Sequence, residues 1–360
     1  MATSATRTAC RSLLRTQRRS LSHSARASSS SSSSNPTWQP LLQPGVLPAY
    51  DEALAYLSSH ASDLRTRITS LDTDTSLSTS DRAALKDSLE IAARINDPST
   101  LAAFQSSSPT HYDASNPAFR HLRERVWRRD SGVLTKVMER CTLMHVLPDV
   151  LAGLTPTVDV QVAFGTGSGF TDHEAKGGDV LVGAFVEPSA TVQAPRVEVN
   201  VFHEESKRYT LAILDPDQPD EDVGGFKTTL LALKEDVQLS ATSDPTVDLT
   251  KDMEVNWIPP HPQQGTPYHR YTTVLFEQPT PASKGEVDRE NFNLRTFAQE
   301  RGLTPAGIHF WRAKWSQESA DTISGIYRDV LKRQEPKYAK PPSEDKVRKL
   351  VGDGGSKWYS

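Results

Sequence analysis

Two short stretches hold residues that could do chemistry together. In the first, an apolar run from Tyr209 ends in Asp215-Pro216-Asp217-Gln218-Pro219, two carboxylates between prolines. The second runs from Trp257 through Pro259-Pro260-His261-Pro262, Gly265 and Pro267 to Tyr268-His269-Arg270-Tyr271. Proline fixes φ and removes a donor, so each stretch reads as a strand joined to a rigid loop. Carboxylates accept hydrogen bonds from turn amides, while His269 and Arg270 supply donors. Brought together, Asp215, Asp217, His269 and Arg270 would make a small polar cluster at the mouth of a β-sheet. The aspartates suit general acid/base work in principle, but no nucleophile accompanies them. No Ser/His/Asp arrangement stands out and no His or Cys spacing suits zinc, so no catalytic residue, metal or cofactor is expected. His203, His261 and His309 read as structural or surface residues.

A different chemistry is offered by Arg120, Arg123, Arg125, Arg128 and Arg129, with Glu124 the single acid among them. Asn116-Pro117 supplies an N-cap and a proline at the first helical position, so these arginines share a helix whose apolar stripe is Phe119, Leu122 and Val126. A guanidinium can grip two phosphate oxygens, which makes the five candidates for RNA contact. The plainer reading is a solvated face with its charges paired elsewhere. Trp127 could stack on a base or sit half-buried in the fold. Gly165-Thr166-Gly167-Ser168-Gly169 resembles a phosphate loop only superficially, since no lysine or helix pattern follows, and it reads as a hairpin connection.

The elements that must position these residues are legible from periodicity. From Pro48 to Leu71 the residues Leu54, Leu57, Ala61, Leu64, Ile68 and Leu71 step by three and four, a seam along one helix. Ser80 reads as the N-cap of a second helix with the stripe Leu85, Leu89 and Ala92, stopped at Asn96-Asp97-Pro98. This hairpin either buries its own seam or serves as a docking arm. A further helix is predicted over 131–152. Then valines alternate with polar residues in 158–164 and 197–201, and further strands are predicted over 180–186, 208–214, 228–239, 270–277 and 307–315. Strands without intervening helices argue against a parallel α/β sheet, so the fold class is α+β with an antiparallel β domain. The organisation predicted is a leader over 1–34, a helical extension over 35–152, the β domain over 153–316, and a C-terminal helix with a basic tail over 317–360. Ile323, Ile326, Tyr327, Val330 and Leu331 form the stripe of that last helix, which stops at Pro336.

At 360 residues the chain can bury one large core or two smaller ones. No apolar run approaches a membrane span. Two cysteines, Cys10 and Cys141, fit a reducing compartment rather than a disulfide scaffold. The first fifty residues contain no acid, and Arg7, Arg11 and Arg15 share a helical face before Arg18, Arg19, Arg26 and seven serines at 28–34. That pattern reads as a mitochondrial targeting presequence, with a disordered basic tail as the alternative. Its removal would take six positive charges away and move the net charge from -4 to about -10. The localisation expected is the mitochondrial matrix.

In their order and with their flanking strands, the two polar stretches resemble the phosphatidylethanolamine-binding-protein family. The later segment from Asn291-Phe292-Asn293 through Gly302, Pro305 and Gly307 to Phe310 resembles it too, so that the likeness covers roughly residues 155–316. The family implies a shallow pocket for phosphate-like head groups lined by the D-P-D and G-x-G-x-H-R-Y motifs. Here Pro267 replaces the second glycine, and the family's His-Trp pair is absent from Phe226–Lys234. Asp215, Asp217, His269 and Arg270 are therefore expected to form a vestigial anion pocket with no small-molecule ligand. Thr304 to Trp315, the helix after it and Glu335-Pro336 are similar to the branch found in the mitochondrial large ribosomal subunit. That branch implies a non-enzymatic constituent of the ribosome, with rRNA and ribosomal proteins as partners, in the central protuberance. The alternative is a mitochondrial phosphate- or head-group-binding, or inhibitory, member of the family.

Overall fold

In the computed structural model the chain is described for residues 38–73, 78–107, 112–165, 177–282, 285 and 287–338. Residues 1–37, which include the expected leader, residues 166–176, which include most of the expected hairpin connection, and the residues beyond Tyr338 lie outside these.

Helices α1 (Pro48–Thr73) and α2 (Thr79–Arg94) open the described part. The predicted seam of α1 is its inner face, with Ala61, Leu64 and Ile68 buried. On α2 the expectation is corrected twice. Ser78 rather than Ser80 is the N-cap, its hydroxyl accepting from the Asp81 amide at 3.1 Å. Leu89 and Ala93 pack on α1, whereas Leu85 is 40% exposed and Ala92 is also outside. Helix α1 covers only a narrow line of α2, and an i, i+4 pair fills it. Asp97-Pro98 ends α2 and also starts α3 (Pro98–Ser106), because aspartate caps free amides and proline suits the first turn. Then come α4 (Pro117–Arg125), a π-helical turn at Val126–Asp130, and α5 (Val133–Leu143).

The strands are β1 (Asp159–Gly165), β2 (Gly177–Asp179), β3 (Arg196–Asn200), β4 (Lys207–Asp220), β5 (Gly225–Leu239), β6 (Thr246–Val247), β7 (His269–Gln278) and β8 (Thr304–Ala313). They form two antiparallel sheets, ordered β2-β1-β3-β6 and β5-β4-β7-β8. Val160 and Val162 of the first sheet, with Val158 just before β1, share a core with Leu211, Ile213, Tyr271 and Trp311 of the second. The other face of the second sheet carries Ala212, Leu214, Val274, Phe276 and Phe310. It packs on Cys141, Val146 and Val150, on Phe292, and on Phe297 of α6 (Leu294–Glu300). A sheet covered on both faces explains why Leu211–Leu214 and Leu230–Leu233 are apolar without alternation. Each such leucine contributes roughly 1.5–3 kcal/mol of burial.

The 180–186 segment is not a strand of either sheet. It lies along the outer edge of β8 through one bridge, Phe185 to Arg312. The Gly183 amide also donates to the Phe310 carbonyl at 2.7 Å. Gly183 has φ +73, and a Cβ there would stand 2.9 Å from Phe310 Cζ, so only glycine lets the segment approach so closely. The last helix, α7 (Ala320–Gly325), widens into a π-helical turn at Ile326–Leu331. Ile323, Ile326 and Tyr327 are buried as expected, but Val330 is exposed because the wider turn rotates it off the stripe.

Candidate functional site

The D-P-D motif is not in a loop, as its prolines suggest, but inside β4. Pro216 cannot donate to the ladder, and the β4–β5 register shifts between Asp215 and Gln218. A bulge of this kind re-aims side chains beside a proline. Asp215 is fully buried there. One of its oxygens accepts from the Asp217 amide at 3.0 Å; the other meets His269 Nδ1 at 2.8 Å and Gln218 Nε2 at 2.6 Å. His269, the first residue of β7, uses Nε2 on the Thr266 hydroxyl at 3.0 Å. Burial raises Asp215, but the charge and hydrogen bond of His269 outweigh it and hold the carboxyl below the usual range. Burial likewise lowers His269, and Asp215 overrides it, so the imidazole is raised. The two are a buried ion pair.

Asp217 and Arg270 make the second half of the cluster. Asp217 accepts from the Arg270 backbone amide at 2.8 Å, from Nε at 2.8 Å and from Nη2 at 2.6 Å. The remaining nitrogen, Nη1, donates to the carbonyls of Met144 and His145 and to Asp149 at 2.8 Å. Asp217 and Asp149 push the guanidinium further up, so it is always charged. Sequence thus brings all four predicted residues together, and tertiary contacts occupy every one of them. All three guanidinium nitrogens of Arg270 engage the protein's own groups. Across β4–β5 the residue paired with Asp215 is Thr229, and no imidazole stands on that strand.

Beside the cluster lies a cleft of about 1040 Å³ lined by buried Gln218, His261, Gln263 and Tyr327. Its lining also includes five carboxylates, Asp220, Glu221, Asp222, Asp288 and Glu290, against the three cations Lys227, Arg289 and Arg333. That balance disfavours an anion. Gln263 donates to Gln218 and, at 2.8 Å, to Tyr327 Oη, tying the C-terminal turn to the site. The Gln264 carbonyl accepts from the Tyr338 amide at 2.9 Å. Gly265, at φ +94, leaves room for that strap, since a Cβ there would collide with the Tyr338 carbonyl. The bridging role of Gln218 and Gln263 was missed in the sequence, although both sit beside the motifs that carry the likeness. Among the described residues no group of three or more His, Cys, Asp or Glu could hold a metal ion.

The arginine helix needs correction. Arg120 is 3% exposed. Its Nη1 donates to the carbonyls of Ala114 and Ser115, and Nη2 reaches Asp87 at 3.0 Å and Glu204 at 2.9 Å. Helix α4 is covered on two sides, by the core at Ala118 and Leu122 and by α2 at Arg120, so this arginine is a clamp and is not offered to RNA. Arg128 pairs with Glu124 at 2.7 Å and donates to the Pro156 carbonyl. Arg125 lies 3.7 Å from Asp130. Arg123 and Arg129 form no salt bridge among the described residues, and Arg129 is exposed. Trp127 packs on Phe202, 5.3 Å between ring centroids, within the fold.

The family profile described as phosphatidylethanolamine-binding protein matches residues 170–314. Protein TERMINAL FLOWER 1 of Arabidopsis thaliana is 31% identical over 182 residues, which are 49% of this chain and 91% of that protein. Among solved structures, carboxypeptidase Y inhibitor complexed with its cognate proteinase aligns at 15% identity over 50% of this chain and 95% of that one, with a TM-score of 0.41. The phosphatidylethanolamine-binding protein from Plasmodium vivax aligns at 17% identity over 50% and 97%, with a TM-score of 0.36. With 31% identity over 91% of a relative, and the D-P-D and His-Arg motifs meeting in one cluster, the chain belongs to the phosphatidylethanolamine-binding protein family.

Proposed function

We propose that this protein is a non-enzymatic constituent of the mitochondrial large ribosomal subunit, contacting rRNA and neighbouring proteins in the central protuberance. The observation that carries the reading is the engagement of Arg270, whose guanidinium holds Asp217, Asp149 and two backbone carbonyls. A site closed on itself fastens the β domain to the segment after α5 and leaves the Arg270 guanidinium occupied by the protein's own groups. The helices of residues 48–143 lie outside the family match and supply surface for assembly. The acid-free arginine leader supports import into the matrix, with removal between Arg19 and Pro36. Sedimentation of the tagged protein with mitochondrial particles, with and without nuclease, tests the reading. Cosedimentation with the large subunit that nuclease abolishes is expected; a protein that stays at the top of the gradient removes the assignment.

The cleft beside Gln218 and His261 favours a second reading, a mitochondrial head-group-binding or inhibitory protein. Calorimetric titration with inorganic phosphate and phosphoethanolamine separates the two. Flat traces are expected from the acidic lining and the occupied arginine, whereas saturable micromolar binding would restore the ligand reading.

A further inference from the structure

The outer edge of β8 carries exposed aromatic rings and cations that no carboxylate neutralises among the described residues. Phe185 and Tyr268 meet edge to face, 5.7 Å between centroids and 88° between planes. Both remain open, at 48% and 39% exposure. Arg312 lies over Phe185, 4.1 Å from its centroid, and 5.2 Å from that of Tyr268. Lys314 Nζ stands 5.8 Å from the Phe185 ring on the same edge. Arg140, at the end of α5, reaches into the same segment by donating to the Val182 carbonyl. Among the described residues none of these three cations forms a salt bridge. The nearby acid, Glu187, accepts from the Ser316 and Ser319 hydroxyls.

Exposed rings beside unneutralised cations suit one kind of partner. A single strand of nucleic acid offers unstacked bases with π-faces and a phosphate for each, so rings and cations are both engaged. A duplex would present phosphates but hide its base faces. An acidic peptide would satisfy the cations and leave the rings bare. The platform is also rigid. The Val186 amide donates to the Arg312 carbonyl and the Arg312 amide to the Ala184 carbonyl, each at 2.8 Å, while Arg312 Nε holds the Gly183 carbonyl at 2.8 Å. A platform fixed in this way loses little side-chain freedom when it binds.

We infer that Phe185, Tyr268, Arg312, Lys314 and Arg140 form a binding platform for single-stranded RNA, in which unpaired bases stack on the aromatic pair and the cations take the adjoining phosphates. The inference rests on the ribosomal reading for the source of the RNA, but its chemistry is tested without ribosomes. The probe is a fluorescein-labelled unstructured RNA of about ten nucleotides, within the span that stacking grooves cover. It is titrated into the protein by anisotropy beside a duplex of equal length, an abasic strand and a polyglutamate peptide. The single strand should bind best, and Phe185→Ala should weaken it roughly tenfold, the usual loss of one stacked base. Lys314→Gln, a change at an exposed side chain, should lower the slope of log affinity against log salt by about 0.7, one phosphate contact on a single strand. Melting temperatures within a degree or two of the parent's would show that Lys314→Gln acts at the surface.

Equal binding of the duplex or the abasic strand would overturn the inference, because the rings would then contribute nothing. Equal binding of polyglutamate would overturn it in favour of an acidic protein partner. So would no binding of the single strand by the parent, or unchanged affinity in both variants. A protein that cosediments with the large subunit yet ignores the oligonucleotide sinks this inference alone. One that binds the oligonucleotide through these residues yet never cosediments sinks the ribosomal reading alone.

Discussion

The π-helical turn that continues α4 and the outer edge of β8 each set an arginine over an aromatic ring, and they use the pair in opposite ways. On the α4 side Arg128 lies 5.3 Å from the Trp127 centroid, but Trp127 is buried against Phe202 and Arg128 is neutralised by Glu124. Arg120, on α4 itself, is buried between two carboxylates and two carbonyls. At β8, Arg312 lies over an exposed ring and no carboxylate answers it among the described residues. The denser run of arginines is therefore the less available one. What separates them is compensation. An arginine that already has carboxylates and carbonyls must give them up to meet a phosphate, and that exchange returns little.

The sharpest test of this contrast acts on the most completely engaged arginine. Asp217→Ala leaves the half-buried Arg270 guanidinium with Asp149 and two carbonyls, and should cost about 3 kcal/mol, as when one side of a buried pair is removed. Urea unfolding measures it, and phosphate titrations should stay flat in parent and variant alike. Arg120→Ala should cost roughly 2 kcal/mol, less because Asp87 and Glu204 are half exposed and can rehydrate. Arg120→Lys should recover only part, since an ammonium cannot hold two carboxylates and two carbonyls in one plane. If Arg120→Ala unfolds no more readily than the parent, the clamp is not one and the contrast fails.

A smaller effect is expected from pH. Asp215 is depressed, so its contribution is present above its unfolded pKa, near 3.9, and fades as pH falls through the folded value. His269 is raised, so its contribution is complete below its unfolded pKa, near 6.5, and is lost as pH climbs through the folded value. The pair is thus most stabilising between about pH 4 and 6.5. Urea midpoints of parent and His269→Gln should differ most there and converge at higher pH; a constant difference up to pH 9 would mean that the histidine acts by shape alone. The smallest effect belongs to Arg123→Gln with Arg129→Gln, which should leave stability within about 0.5 kcal/mol. If that double variant weakens large-subunit association in a salt-dependent way, part of the RNA contact returns to α4 and the contrast narrows.

Strands with a single buried face and helices with long seams were determined by the sequence itself. Val158, just before β1, and Val160 and Val162 within it alternate because one side of this stretch meets the second sheet, and Ala61, Leu64 and Ile68 recur because α1 has one inner line. The four residues of the polar cluster were also legible, since each lies close to a proline beside an apolar run, although the prolines misplaced Asp215 and Asp217 at the end of β4 rather than inside it. The tertiary structure decided whether those residues were free. Asp149 and the Met144 and His145 carbonyls lie more than a hundred positions from Arg270 in sequence, and no local pattern says that a chain will return to satisfy a guanidinium. Arg120 and Glu204, 84 positions apart, are equally beyond any local pattern. Phe185, Tyr268 and Arg312 likewise come from three separate segments, and it is the register along β8 that makes them neighbours. Periodicity reports which side of an element is apolar; the partner that reaches a charge, and so whether the charge remains available, is fixed only when distant segments pack.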